Sequence, residues 1–238
     1  RMSGPLGLTL DLGRLSMAAP GMLGLAAGER YAGSVTLSGT ALAEGADAKF
    51  DAPRSTRGVA LPGGHGGGDV RARVSGLMNE DKIRFALSEL AGAGLGGGAE
   101  ILFVEDGGEM RLDQIRAGID LDLGGARGLL GHYLGLEPAG TIAGRVRVGL
   151  DSQPAGDGLH FEGKTTVQNL AYQAQPASAP MRQALVELEY DVEYGRDTKR
   201  IQADQLRLKL QGLTADLGNS SMTTSGGDTY VDARAQLS

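Results

Sequence analysis

Apolar and polar residues alternate along most of this chain. Leu6, Leu8, Leu10 and Leu12 are spaced by Gly, Thr and Asp, and Val70, Ala72 and Val74 alternate with Arg71 and Arg73. Ile83, Phe85 and Leu87 alternate with Arg84, Ala86 and Ser88. Val146 and Val148 flank Arg147, and Val186, Leu188, Tyr190, Val192 and Tyr194 alternate with Glu187, Glu189, Asp191 and Glu193. Leu206, Leu208 and Leu210 alternate with Arg207 and Lys209, and Val231, Ala233, Ala235 and Leu237 close the series. A period of two places one set of side chains on each face of a strand, so these segments predict strands with one apolar and one wet face. Turn clusters separate them, at Pro62–Gly68, Asp106-Gly107-Gly108 and Ser225-Gly226-Gly227. The continuous apolar run Ile101–Val104 predicts a strand covered on both faces. Ala126–Leu136 groups Leu129, Leu130, Tyr133, Leu134 and Leu136 at three- and four-residue spacing, the pattern of a short amphipathic helix.

The pattern recurs. Residues 8–51 align without a gap on residues 119–162, with 12 of 44 positions identical. LTLDLG (8–13) meets IDLDLG (119–124), Ala32-Gly33 meets Ala143-Gly144, Gly45 meets Gly156, and Phe50 meets Phe161. A second echo relates Gly107-Gly108-Glu109 to Gly226-Gly227-Asp228. One unit is therefore a short helix followed by about six strands, with a first, partial unit over 1–118 and a second over 119–238. Strand-like ends at Arg1–Gly13 and Tyr230–Leu237 suggest a piece cut from a longer chain. The expected fold is mainly β: repeated antiparallel strands in an elongated curved sheet or groove, with a short helix per repeat. One short helix cannot cover six strands, so a barrel, a sandwich or an open groove must dispose of the apolar face.

Forty of the 238 residues are glycine, more than twice the usual share of about 7%. There is no cysteine, so no disulfide, thiol nucleophile or thiolate metal site can form. A net charge of −6 argues against a nucleic-acid partner. No run of apolar residues is long enough to cross a membrane as a helix.

Three motifs invite chemistry and fail on context. Gly158–Thr165 fits G-x-x-x-x-G-K-T, but its middle residues and TTVQNLAYQ beyond them read as strand, where a phosphate loop needs a helix N-terminus. Gly92, Gly94 and Gly97 fit G-x-G-x-x-G, yet strand follows and the glycines read as a loop over 92–98. Gly63–Asp69 resembles one copy of a calcium-binding repeat and reads as a long turn. His65, His132 and His160 share no ligand spacing. The acidic row Glu187, Glu189, Asp191 and Glu193 reads as a solvated strand face. No catalytic, cofactor or metal residue is assigned, and the chain is read as a non-enzyme.

The layout resembles the AsmA-like family of TamB- and YhdP-type proteins of the Gram-negative envelope. The resemblance rests on IDLDLGGARGLLGHYLGLEPAGTIAGRVRVGLDSQ (119–153), GKTTVQNLAY (163–172) and the meander over 186–218. It implies the periplasmic part of an inner-membrane-anchored protein, whose β-groove carries phospholipid or another acyl-chain lipid or supports outer-membrane homeostasis. It also implies neighbouring repeats of the same chain and envelope proteins as partners. The family's membrane anchor and terminal regions are absent from this sequence. The residues expected to line such a groove are Val146, Val148, Val186, Leu188, Leu206, Leu208, Leu210, Ile83 and Phe85. The alternative is a scaffold or adhesin-like module in which the same residues fill a closed core.

Overall fold

The computed structural model describes residues 2–18, 32–45, 47–60, 69–130, 140–176, 178–195, 200–225, 228–232 and 235–237. In chain order the elements are β1 (Met2–Asp11), α1 (Leu12–Ala18), β2 (Ala32–Glu44), β3 (Asp47–Ala60), β4 (Arg71–Met78), β5 (Lys82–Gly92), β6 (Leu95–Asp106) and β7 (Glu109–Asp122). They continue as α2 (Leu123–Leu130), β8 (Thr141–Ala155), β9 (Gly158–Gln173), β10 (Met181–Gly195), β11 (Arg200–Leu210), β12 (Leu213–Ser225), β13 (Asp228–Asp232) and β14 (Ala235–Leu237). Strands β1 to β13 lie side by side in sequence order, each antiparallel to its neighbours, and β14 adds to β12. The result is one open, curved 14-stranded sheet. Among the described residues β1 pairs with β2 alone.

Among the described residues no second sheet packs on this one. The chain exposes 14260 Å² at 24.5 kDa, where a compact monomer of that mass exposes about 10,000 Å². The excess is the expected consequence of a single layer.

The ladder places the alternating apolar sets on one side. Residues paired across strands share a face. Leu121 pairs with Val146, Val146 with Val167, and Val167 with Val186. Leu188 continues to Leu208, and Leu208 to Ala215. In the other direction Met2, Ala43, Ala48, Met78, Ile83, Phe103 and Leu112 form one cross-strand row.

Each helix grows from the same local device. Asp11 Oδ1 accepts the N–H of Arg14 at 3.0 Å, and Asp122 Oδ1 accepts the N–H of Gly124 at 3.1 Å. A carboxylate at this position satisfies an orphan donor of the first turn. The helices begin 111 residues apart, at Leu12 and Leu123. The hairpins that follow keep that offset: β2 ends at Glu44 and β8 at Ala155, while β3 begins at Asp47 and β9 at Gly158. Six strands follow each helix before the chain reaches the next cap position or the end of β13. The 118/119 division falls inside β7, so the sheet passes through it unbroken.

Both helices lie at the same end of the sheet, since β1 and β7 run in the same direction. Leu123 and Ile142 are buried there, packed by Leu121, Val146, Val167, Leu170 and Tyr172. Ala126 is fully buried. Besides β7 and β8, α2 touches β3. On a flat sheet β3 would lie about 19 Å from β7, further than the roughly 12 Å length of an eight-residue helix. The contact therefore fits a sheet that curls toward the face carrying α2. Ala52 and Ala72 on that face are buried too.

Several local expectations are corrected. Leu12 opens α1 rather than ending β1, because Asp11 caps the helix at that point. α2 starts three residues before Ala126, and 131–136 fall outside the described residues. The 92–98 stretch is not a loop: Ala93 and Gly94, both at positive φ (49° and 76°), make a two-residue hairpin turn, and Gly96–Gly98 belong to β6. Ile101–Val104 is half-buried throughout rather than covered on both faces. The closing strand is split into β13 and β14. The turn clusters at 62–68 and 226–227, with His65, lie outside the described residues.

Bulges interrupt the ladder at matching places in the two units. Register shifts by one residue between Ala32 and Ser34 and between Ala143 and Arg145, with Gly33 at φ 95° and Gly144 at φ 133°. A Cβ on Gly144 would sit 3.0 Å from the Gln168 carbonyl oxygen, in a backbone conformation that L-residues avoid. Gly144→Ala should therefore destabilise the protein by about 1–3 kcal/mol. Gly118→Ala, where a Cβ meets nothing within 4 Å, should be near neutral. Urea midpoints measured side by side check this; equal midpoints for the two variants would remove the bulge's special role.

Candidate functional site

The apolar face of the sheet is the candidate site. All nine residues expected to line a groove belong to it by register. Val146 and Val148 on β8 oppose Leu121 and Ile119 on one side and Val167 and Thr165 on the other. Val186 and Leu188 on β10 continue the row to Leu208, while Leu206 pairs with Tyr190 and Leu217, and Leu210 with Leu213. Ile83 and Phe85 on β5 pair with Phe103 and Ile101. Eight of the nine are half-buried and Phe85 is 43% exposed. Residues this apolar, on a face this long, remain partly open because, among the described residues, only the two short helices lie over the sheet.

Two side-chain arrangements on this face were not legible from spacing. Phe50 lies across Gly76: a Cβ there would fall 2.1 Å from the ring, so glycine is what lets the aromatic lie flat across β4. The Phe50 and Phe85 ring centroids are 6.3 Å apart and tilted by 48°, a favourable aromatic geometry. Tyr190 does the same over Gly163 and donates its hydroxyl to the Gly149 carbonyl at 2.9 Å. Burial pushes the Tyr190 phenol above its ordinary range. A glycine opposite a large aromatic in the cross-strand pair is the signal that could have found both.

The opposite face carries charge in cross-strand rows. Lys164, Glu189, Arg207 and Asp216 follow one another through consecutive registers on β9 to β12. Lys164 Nζ lies 2.7 Å from Glu187 and 3.2 Å from Glu189, Lys209 Nζ reaches Glu189 at 3.3 Å, and Arg207 Nε donates to Asp216 at 2.5 Å. Arg84 pairs with Glu100 at 2.6 Å, Arg116 with Asp151 at 3.1 Å, and Arg147 with Asp120 at 3.0 Å. Arg73 grips Asp51 through two guanidinium nitrogens. The acidic row on β10 is therefore not simply solvated, as its spacing suggested. Glu187 and Glu189 are 20% and 29% exposed and share two lysines, because β9 sets Lys164 opposite Glu189, β11 sets Lys209 opposite Glu187, and each lysine also reaches the other glutamate diagonally. Asp191 meets His160 Nε2 at 3.4 Å, too poorly aligned for a hydrogen bond.

Shallow hollows lie on this charged side. One of about 520 Å³ is bordered by Leu42, Lys49, Leu77, Arg84, Asp51 and Ser75, and one of about 590 Å³ by Asp151, Glu162, Lys164, Glu189, Asp191 and Gln205. Among the described residues no group of three or more His, Asp or Glu could hold a metal ion. The Gly158–Thr165 motif is the extended start of β9, without the helix a phosphate loop requires. His132 lies outside the described residues. Among the described residues no helix is long and apolar enough to cross a membrane.

The chain matches no known protein family, no curated protein and no solved structure. Function must therefore be read from the two faces themselves.

Hydrogen bonds from Lys164, then Lys209, hold the Glu189 carboxyl below the usual glutamate range. The Arg73 guanidinium does the same for Asp51. Carboxylates depressed in this way add stability above their unfolded pKa of about 4 and lose it as pH falls through the folded value. Glu189→Gln removes one of them. The melting temperature of the wild type should fall more steeply than that of Glu189→Gln below about pH 5, with the two curves parallel from pH 6 to 8. Parallel curves throughout would show that the ion-pair row does not couple to folding.

Proposed function

We propose that this chain is a section of a periplasmic AsmA-like protein, and that its apolar face is a non-catalytic groove for the acyl chains of phospholipid or a similar lipid. The observation that supports the reading is the largely apolar face, assembled from thirteen consecutive strands and, among the described residues, with no second sheet over it. Water at such a face is unfavourable, and each CH₂ group moved from water onto it contributes about 0.8 kcal/mol. The role asks only for greasy area and needs no reacting group. The repeat supports it as well, since unit after unit extends the same face without altering it. The resemblance in the helix-flanked passage 119–153 adds the envelope setting: an inner-membrane-anchored parent, with further repeats of the same chain at the two ends of the sheet.

The test is direct. Residues 1–238 purified in mild conditions should carry lipid that is recoverable by solvent extraction and identified by mass spectrometry. Photo-crosslinking residues placed at Leu208 and Val146 should capture it. Leu208→Asp sets a charge on the lining and should lower lipid recovery at least several-fold, whereas Arg116→Gln on the charged face should leave it unchanged. Recovery of no lipid and no crosslinks would overturn the groove and favour a scaffold module, in which the open edge of β1 pairs with a partner strand.

A further inference from the structure

Methionine is among the residue types most often buried in proteins, and this chain exposes it. All six methionines among the described residues are exposed, from 37% at Met222 to 75% at Met2; the seventh, Met22, lies outside them. Five of the six stand near the ends of strands. Met2 opens β1, Met78 closes β4, Met110 is second in β7, Met181 opens β10 and Met222 lies three residues before the end of β12. The ladder puts these five on the apolar face. Met2 and Met78 share a cross-strand row with Ile83 and Phe103. Met110 lies two residues before Leu112, the partner of Phe103. Met222 is opposite Ile201, which is opposite Tyr194. Met181 is opposite Tyr172, which packs against the buried Leu123 and Ile142. Four of the five therefore follow one margin of the face, and Met181 stands on the other, at the end where α1 carries Met17. The rows between the margins are built otherwise. Leu121, Val146, Val167 and Val186 make one, and Leu188, Leu208 and Ala215 another.

We infer that the margin methionines are sites of reversible oxidation, through which a peroxide turns both margins of the face polar and releases its apolar cargo without unfolding the sheet. This rests on the groove reading above. The chain has no cysteine, so thioether sulfur is the only sulfur an oxidant meets. In the step, a methionine sulfur gives a lone pair to one oxygen of hydrogen peroxide. The S–O bond forms as the O–O bond breaks, and the proton of the transferred oxygen leaves with the second oxygen as water. Sulfur loses two electrons and the peroxide gains them. Placement decides the consequence. A sulfoxide inside a packed core disrupts it, but no described methionine belongs to the buried core. At the margins, an acyl chain lying across the face would instead have to strip water from a row of sulfoxide oxygens, and burying such a group without a partner is unfavourable. A thiol-dependent sulfoxide reductase reverses the change: the oxygen leaves as water while two thiols close to a disulfide.

The experiment treats the whole chain with hydrogen peroxide and follows each methionine by peptide mass spectrometry. Met2, Met78, Met110, Met181 and Met222 should all be oxidised, and the melting temperature should stay within about 2 °C of the untreated value. Capture of a phosphatidylcholine with a pyrene-bearing acyl chain should fall at least several-fold, and a sulfoxide reductase should restore it. A variant with these five residues changed to leucine, a swap that nearly conserves volume, should capture the lipid equally before and after peroxide. A strand methionine that stays reduced while Met2 is fully oxidised overturns the placement. Unfolding on oxidation, or capture that the reductase fails to restore, overturns the switch, and neither readout depends on a substitution. An equal loss of capture in the leucine variant overturns it too, because the peroxide then acts elsewhere. Undiminished capture by the oxidised wild type overturns the switch and leaves the groove intact. No capture by the untreated chain overturns the groove reading itself, and the switch with it.

Discussion

Everything in this fold depends on keeping register across thirteen strands. A single-residue slip between any two neighbours would send every apolar side chain beyond it to the charged face. Leu121, Val146, Val167 and Val186 meet on one side only because β7, β8, β9 and β10 hold one alignment over most of their length. The charged rows depend on the same alignment. Lys164 faces Glu189, and Glu189 faces Arg207, because the ladder that stacks the valines and leucines also stacks the residues between them. Like charges directly opposite each other would be unfavourable, so the ion pairs read as a check on register. They are exposed enough that they contribute little to stability on their own.

A sheet of this width must also curve, and an extra residue in one strand is the ordinary way to bend it. Each register shift flips the faces of the bulged strand relative to its partner unless the extra residue is absorbed locally. Glycine at positive φ does this at Gly33 and Gly144. Elsewhere Asn169 takes positive φ beside Gly144, on the neighbouring strand, so two adjacent strands bend together. The bend sits next to α2, where the sheet curls toward its apolar face. Bulge, cap and helix thus form one corner, and the sequence repeats that corner 111 residues apart.

The alternation and the repeat were legible from sequence, and with them the strands, the curved sheet and one helix per unit. The reason is that a half-buried strand writes its face into a period of two, whereas loops and caps write only single residues. Leu12 shows the limit: its spacing from Leu10 fits the strand, but the Asp11 carboxylate ends the strand by capping a helix. Gly96–Gly98 show another, since a run of small residues looks like a loop until Asp120, Ile119 and Gly118 on β7 supply partners. The lysines on β9 and β11 that pair with Glu187 and Glu189 are twenty or more residues away from them in opposite directions of the chain. Nothing in a single sequence gives their register. The nine residues expected to line a groove share one face, and alternation alone was enough to place them there.

An open apolar face sets a problem that the charged side cannot solve. The ion pairs keep the outer face wet and in register, but they do nothing for the valines and leucines behind them. α2 buries one corner, where its own Leu123 and Ala126 and Ile142 of β8 are buried, and stops there. A second sheet would have given these residues a dry core, as in a sandwich, yet the strands continue sideways instead and the exposed area grows with each one. Lengthening the sheet by repeats is therefore stable only if each added unit brings its own corner and leaves a face that something apolar completes.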